Sequence, residues 1–151
     1  PWSTILMVCG MTTLMAILER TGGMDLITRL LVRLSTPRTA PAVMGLCTGV
    51  LSAYSSSSGV VLPAFLPMVP GLIQKLGGGD PVALANSVNI GAHLVDVSPL
   101  STLGALCLSN AGAGTDTRRL YRQLLAWGLS MAIVGAIYCH VVFGVLHLGS
   151  R

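Results

Sequence analysis

Charged positions divide the chain into long apolar stretches. Residues 1–18 hold no Asp, Glu, Lys or Arg and end at Glu19-Arg20. That is near the lower length for a membrane-crossing helix, and one span is predicted over 1–18. Residues 22–36 follow another pattern. Arg29 and Arg33 stand four apart, and Leu26, Leu30 and Leu34 form a second four-spaced row. The segment reads as an amphipathic helix lying in the membrane interface. Pro37 ends it, because the residue before a proline avoids the helical region.

Thr39–Gln74 is a run of 36 residues without a charge. One straight helix of that length would measure about 54 Å, against a hydrocarbon core about 30 Å thick. The run must break, and Ser55-Ser56-Ser57-Ser58-Gly59 is its polar point. Two readings fit. One is a re-entrant hairpin over 39–74 with the serines at mid-membrane; the other is an ordinary span over 52–70 preceded by an apolar loop.

Gly77-Gly78-Gly79 make a turn, Asp80 is placed to cap a helix and Pro81 to begin it. The apolar run that follows reaches Asn110, again too long for one span, and is interrupted by His93-Leu-Val-Asp96-Val-Ser98-Pro99-Leu-Ser101-Thr102. A broken helix over 82–110 is predicted, with half-helices over 82–96 and 99–110 and Ser98-Pro99 repeating the cap-then-proline pattern. Thr115 or Asp116 caps a last span over 117–148. Its first turns carry Arg118, Arg119 and Arg122, and Trp127 sits near its entry, where amphipathic rings anchor.

Composition removes the soluble alternatives. The chain is 52% hydrophobic and 9% charged, whereas soluble domains carry about 25% charged residues. The fold class is therefore all-α integral membrane. The net charge of +4 lies mostly in short loops and the interfacial helix, as topogenic charge does, so nucleic acid is not an expected partner. Cys9, Cys47, Cys107 and Cys139 lie within apolar runs without CxxC spacing and imply neither disulfides nor zinc. No nucleophile–base or metal constellation is visible, and an enzyme is not expected. His140 and His147 read as packing or interface residues.

The two breaks carry the candidate chemistry. Non-helical backbone at membrane depth is tolerated only inside protein or beside a watery cavity, and paired breaks point to the binding site of a secondary transporter. Each break also starts a new helix, whose free N–H groups and dipole favour an anion. The hydroxyls of Ser55, Ser56, Ser57, Ser58, Ser101 and Thr102 add neutral donors. His93 and Asp96 are the ionisable side chains of the second break, and three-residue spacing puts them on one helix face. No Lys or Arg lies in either break, so a doubly charged anion needs an accompanying cation.

The stretch Ser55-Ser-Ser-Ser58-Gly59-Val-Val-Leu-Pro63, followed by Asn89-Ile-Gly91-Ala-His93-Leu-Val-Asp96-Val-Ser98-Pro99-Leu-Ser101-Thr102-Leu-Gly104-Ala105, resembles the ion transporter superfamily of divalent anion/sodium symporters, and within it the malonate and dicarboxylate carriers. The resemblance implies one of two inverted repeats, the C-terminal one, built from interfacial helix, re-entrant hairpin, broken helix and final span. It implies that the tip at Ser55–Ser58 and the loop at Val97–Thr102 form half of a shared site for a carboxylate and Na⁺; the candidate binding residues are Ser55, Ser56, Ser57, Ser58, Gly59, Asn89, His93, Asp96, Ser98, Pro99, Ser101 and Thr102. Na⁺ would lie at Ser56, Ser57, Ser101 and Thr102. The symporters' Ser-Asn-Thr signature is absent, with Ser56-Ser57-Ser58 in its place. The implied activity is secondary transport of a dicarboxylate coupled to Na⁺ or H⁺, without other cofactors, in the bacterial inner membrane. The implied partners are the N-terminal repeat, the lipid bilayer and a second copy in a homodimer; the chain alone should not transport. The rival readings are the large membrane subunit of a binding-protein-dependent carboxylate transporter and a non-transporting membrane subunit.

Charge bias opposes part of this topology. The hairpin reading puts Arg20, Arg29, Arg33, Arg38 and Lys75 on one side and Arg118, Arg119 and Arg122 on the other. The positive-inside rule assigns the first group to the cytoplasm, whereas a C-terminal repeat of this kind should hold it outside.

Overall fold

The computed structural model describes residues 2–112 and 114–146, and every regular element among them is helical. His147 and the last predicted residues of the final span lie outside the described residues. Helix α1 covers Trp2–Arg20 and α2 covers Gly23–Leu34. Between them Gly22 sits at φ 75°, a left-handed conformation that glycine adopts without cost. Helix α2 is shorter than its predicted range because Ser35 is already extended. Helix α3 covers Ala40–Tyr54.

Helix α4, Ser57–Leu76, follows after the two-residue turn Ser55-Ser56. It opens with a π turn over Ser57–Val61 and tightens to a 3₁₀ turn over Leu66–Met68, which contains Pro67 and is flanked by Pro63 and Pro70. Prolines remove backbone donors and disturb the regular ladder. Helix α5 is Pro81–Leu94, capped by the Asp80 carboxylate, which accepts the Val82 N–H at 2.9 Å. Helix α6 is Thr102–Ser109, and α7 runs Thr117–Val145 with a terminal π turn over His140–Val145. Asp116 caps α7, accepting from the N–H groups of Arg118 and Arg119. Two of these helices, α4 and α7, are long and apolar enough to cross a membrane.

The centre of the molecule is α3 packed between α5 and α7. Small residues let the backbones close together. A Cβ on Gly91 of α5 would collide with the Gly45 carbonyl and the Thr48 hydroxyl of α3. A Cβ on Gly49 would lie 3.0 Å from that of Ala132 on α7, and one on Gly45 would lie 3.2 Å from the Cys139 sulfur. Such small-residue faces bring membrane helices into van der Waals and hydrogen-bonding range. The helix directions follow from the partners. Gly45 lies against Ser87 and Ser52 against Ala92, so α3 and α5 run parallel. Gly128 meets Ser98, Ala132 meets Gly49, and Gly144 meets the Arg38 carbonyl, so α7 runs antiparallel to both.

Helix α4 folds back from the serine turn. Its buried Val61, Phe65, Met68, Val69 and Leu72 share one core with Met44 of α3, Leu31 of α2, and Leu84 and Val88 of α5. Helix α3 continues to Tyr54, and the chain reverses at Ser55-Ser56. The long helix α7 measures the depth of this turn. Gly128, level with Ser98, lies 11 residues after Thr117, or about 16 Å along the helix. Both interruptions thus sit partway along a helix about 43 Å long. The charged end of the molecule holds Arg20, Arg38 and an exposed Lys75–Asp25 ion pair of 2.5 Å that ties α4 to α2.

Candidate functional site

Each break supplies a capped helix start. At the first, Ser56 is extended and its hydroxyl accepts the Gly59 N–H at 3.1 Å, which begins α4. At the second, Ser101 is extended and its hydroxyl accepts the Gly104 N–H at 3.5 Å, which begins α6. The expected cap, Ser98 before Pro99, is corrected. Residues 95–101 form successive tight turns, with the Ser98 N–H bonded to the Val95 carbonyl at 2.9 Å and the Ser101 N–H to the Ser98 carbonyl at 2.9 Å. These turns delay the helix to Thr102 and leave the Ser98 hydroxyl free to act elsewhere. It donates to the Ala53 carbonyl on α3 at 2.6 Å.

The two breaks meet at Asp96. The Ser57 hydroxyl, at the start of α4, donates to its carboxylate. The Ser101 hydroxyl, at the start of α6, donates to its main-chain carbonyl. Ser57 also lies 2.6 Å from the Ser52 hydroxyl and 3.1 Å from the Ala92 carbonyl, and Ser52 lies 2.8 Å from that same carbonyl. Ala92 is available because α5 stops at Leu94: the Asp96 N–H turns to the His93 carbonyl at 3.2 Å and not to Ala92. A helix C-terminal carbonyl, a carboxylate and two hydroxyls thus form a compact oxygen cluster between α3, α4 and α5. Ser52, Ser57, Ser98 and Ser101 are all buried, and Asp96 is half-buried.

The remaining predicted residues divide into two groups. Ser55 is half-buried and bonds back to Leu51 at 2.8 Å, Gly59 and Pro99 are buried against the breaks, and Thr102 is exposed at the first turn of α6. Ser58 is exposed and, with Gly59, lines an apolar cleft of about 450 Å³ against Met11 and Met15 of α1. Asn89 and His93 lie together on α5. They are exposed one turn apart on α5, where the His93 ring bonds the Asn89 carbonyl at 2.9 Å beside Tyr138 of α7. The expected His93–Asp96 pair does not form, because three-residue spacing joins side chains only while the helix continues, and α5 ends between them. Of the four proposed Na⁺ ligands, Ser57 and Ser101 both reach Asp96, while Ser56 is engaged with Gly59.

Ser52 and the carbonyls of Ala53 and Ala92 are not among the residues expected from sequence. Ser52 carries a signal: Gly45, Thr48, Gly49 and Ser52 recur at helical spacing, marking the small, polar stripe of α3. The carbonyls carry none.

A family model described as CitMHS, citrate transporter, matches residues 1–149. No curated protein and no solved structure matches the chain significantly.

Proposed function

Because the chain belongs to the CitMHS citrate transporter family, we propose that its two breaks form half of a carboxylate site in a secondary transporter, for a substrate of the citrate or dicarboxylate type. The observation that supports this reading is the convergence of two helix N-termini on Asp96, partway along α7. Free N–H groups and the positive ends of two helix dipoles favour a carboxylate there. Thr102 and Ser58 are exposed at the two starts.

Neither break contains Lys or Arg. Dipole ends are each worth roughly half an elementary charge, too little for two or three carboxylates beside Asp96. A coupling cation, Na⁺ or H⁺, supplies the remainder. The N-terminal repeat supplies the other half of the site, and alternating access moves it across a bacterial inner membrane.

The test is uptake of radiolabelled citrate, succinate and malonate into proteoliposomes holding the transporter of native length, under Na⁺ or proton gradients. Gradient-driven uptake of one of these acids, reduced at least tenfold by Ser57→Ala with Ser101→Ala, supports the reading. Uptake that ignores the double substitution removes the breaks from the site.

A further inference from the structure

Helix α2 starts and finishes at the same end of the molecule. Helix α1 delivers the chain there at Arg20, and α3 leaves from there at Ala40, beside Arg38 and the Lys75–Asp25 pair. The 12 residues of α2 reach about 18 Å, too short to cross a hydrocarbon core about 30 Å thick. Helix α2 therefore lies along the end of the bundle, where α4 also terminates.

Its surface is divided lengthwise. At about 100° per residue, four faces follow one another around the helix. The first holds Leu31 and Met24 and packs into the core shared with α3, α4 and α5. The second is the row Leu26, Leu30 and Leu34, exposed at 55%, 51% and 71%. The third is Arg29 and Arg33, both exposed and without an acidic partner within 4.0 Å among the described residues. The fourth is Asp25, whose carboxylate accepts from the Lys75 ammonium.

That order matches the layers of a membrane boundary. The leucine row suits hydrocarbon, and the exposed Asp25–Lys75 pair suits water. The arginines stand between them, at the depth of headgroup phosphates. A guanidinium fork donates to phosphate oxygens in pairs, and its apolar stem can lie along the helix while the charged head stays in the polar layer. A free anion in water would need the arginines alone. The leucine row beside them singles out an anion that carries acyl chains.

We propose that α2 is a binding site for anionic phospholipid, with Leu26, Leu30 and Leu34 resting on acyl chains while Arg29 and Arg33 hold the headgroup phosphate. The proposal is independent of what the transporter carries. It has a mechanical consequence for the first break. Leu31 shares a core with Phe65 and Leu72 of α4, and Asp25 is bonded to Lys75 near the end of that helix. A lipid that fixes α2 therefore also fixes the far end of the helix that begins at the serine turn.

The test is fluorescence quenching at Leu30→Cys in a cysteine-free transporter of native length, labelled with bimane and reconstituted in vesicles of phosphatidylcholine and phosphatidylglycerol. One lipid at a time carries brominated acyl chains, so quenching reports which lipid lies against the label. Both lipids should quench, with phosphatidylglycerol favoured at equal mole fraction. Each basic residue near an anionic surface is worth about fivefold in affinity. Arg29→Gln with Arg33→Gln should therefore cut that preference by up to about thirtyfold. Quenching by phosphatidylcholine should persist in this variant, showing that α2 is still in place. Arg118→Gln with Arg122→Gln, exposed at the opposite end of α7, should leave the preference unchanged. An unquenched label would mean that protein covers the leucine row, and would overturn the proposal. So would equal quenching by the two lipids in the native background, or a preference that survives loss of Arg29 and Arg33.

Discussion

The Ser98 hydroxyl donates to the Ala53 carbonyl at 2.6 Å, joining the second break to the end of α3 across 45 positions of sequence. Both residues are fully buried. The bond fixes the two interruptions at one depth without using either helix cap. Ser98→Ala leaves the Ala53 carbonyl unpartnered, which costs about 1–3 kcal/mol. A thermal unfolding midpoint several degrees lower in detergent is expected, with Ser130→Ala, exposed on α7, as a near-neutral control.

Gly104 tests the turn geometry of the second break. A Cβ there would strike the Ser98 and Val97 carbonyls. Both are backbone atoms and cannot rotate away, so Gly104→Ala should destabilise by about 3 kcal/mol or more, at the upper end of overpacking. Gly10→Ala meets nothing within 4 Å and should leave stability unchanged or slightly raised. Folded yield on size-exclusion chromatography distinguishes them.

Gly91 makes the same argument for the α3–α5 contact. Its added Cβ would meet the Gly45 carbonyl and the Thr48 hydroxyl. Gly91→Ala should separate these parallel helices and displace Ala92 from Ser52 and Ser57. Loss of transport beyond the loss of folded protein is the expected result, read as activity per correctly inserted molecule.

Much of this arrangement is legible in the sequence for one physical reason: apolar runs longer than the membrane must break, and polar residues mark where. That argument places the turn within Ser55–Gly59 and the second break before Thr102, and local chemistry places the caps Asp80 and Asp116. What escapes it is finer. Ser98-Pro99 looks like a helix start in sequence, yet consecutive turns move the start to Thr102. Pairing His93 with Asp96 assumes a continuing helix, and α5 stops between them. The Ala53 and Ala92 carbonyls become ligands only when helices end beside distant serines, and no residue type announces that.

The Asp25–Lys75 pair gives a pH-dependent prediction outside the membrane. The Lys75 ammonium, through its hydrogen bond and its charge, lowers the Asp25 carboxyl below its ordinary 3.8. A lowered folded-state value means the pair stabilises above the unfolded value and that stability is lost as pH falls through the folded one. The pair is solvent-exposed, so the effect is small and screened by salt. Between about pH 5 and pH 3 at low salt, the native protein should lose slightly more thermal stability than Lys75→Ala. The difference should vanish in high salt.

The most direct measurement places substrate between the two helix starts. In a cysteine-free background, Ser58→Cys at the start of α4 and Thr102→Cys at the start of α6 are both accessible positions. Their rates of modification by a small maleimide would be followed with and without saturating citrate, succinate or malonate, with Leu106→Cys on the exposed face of α6 as the reference. The account predicts that a transported carboxylate slows labelling at both 58 and 102 and leaves 106 unchanged. Undiminished labelling at both sites, with transport of that same acid intact, would contradict it.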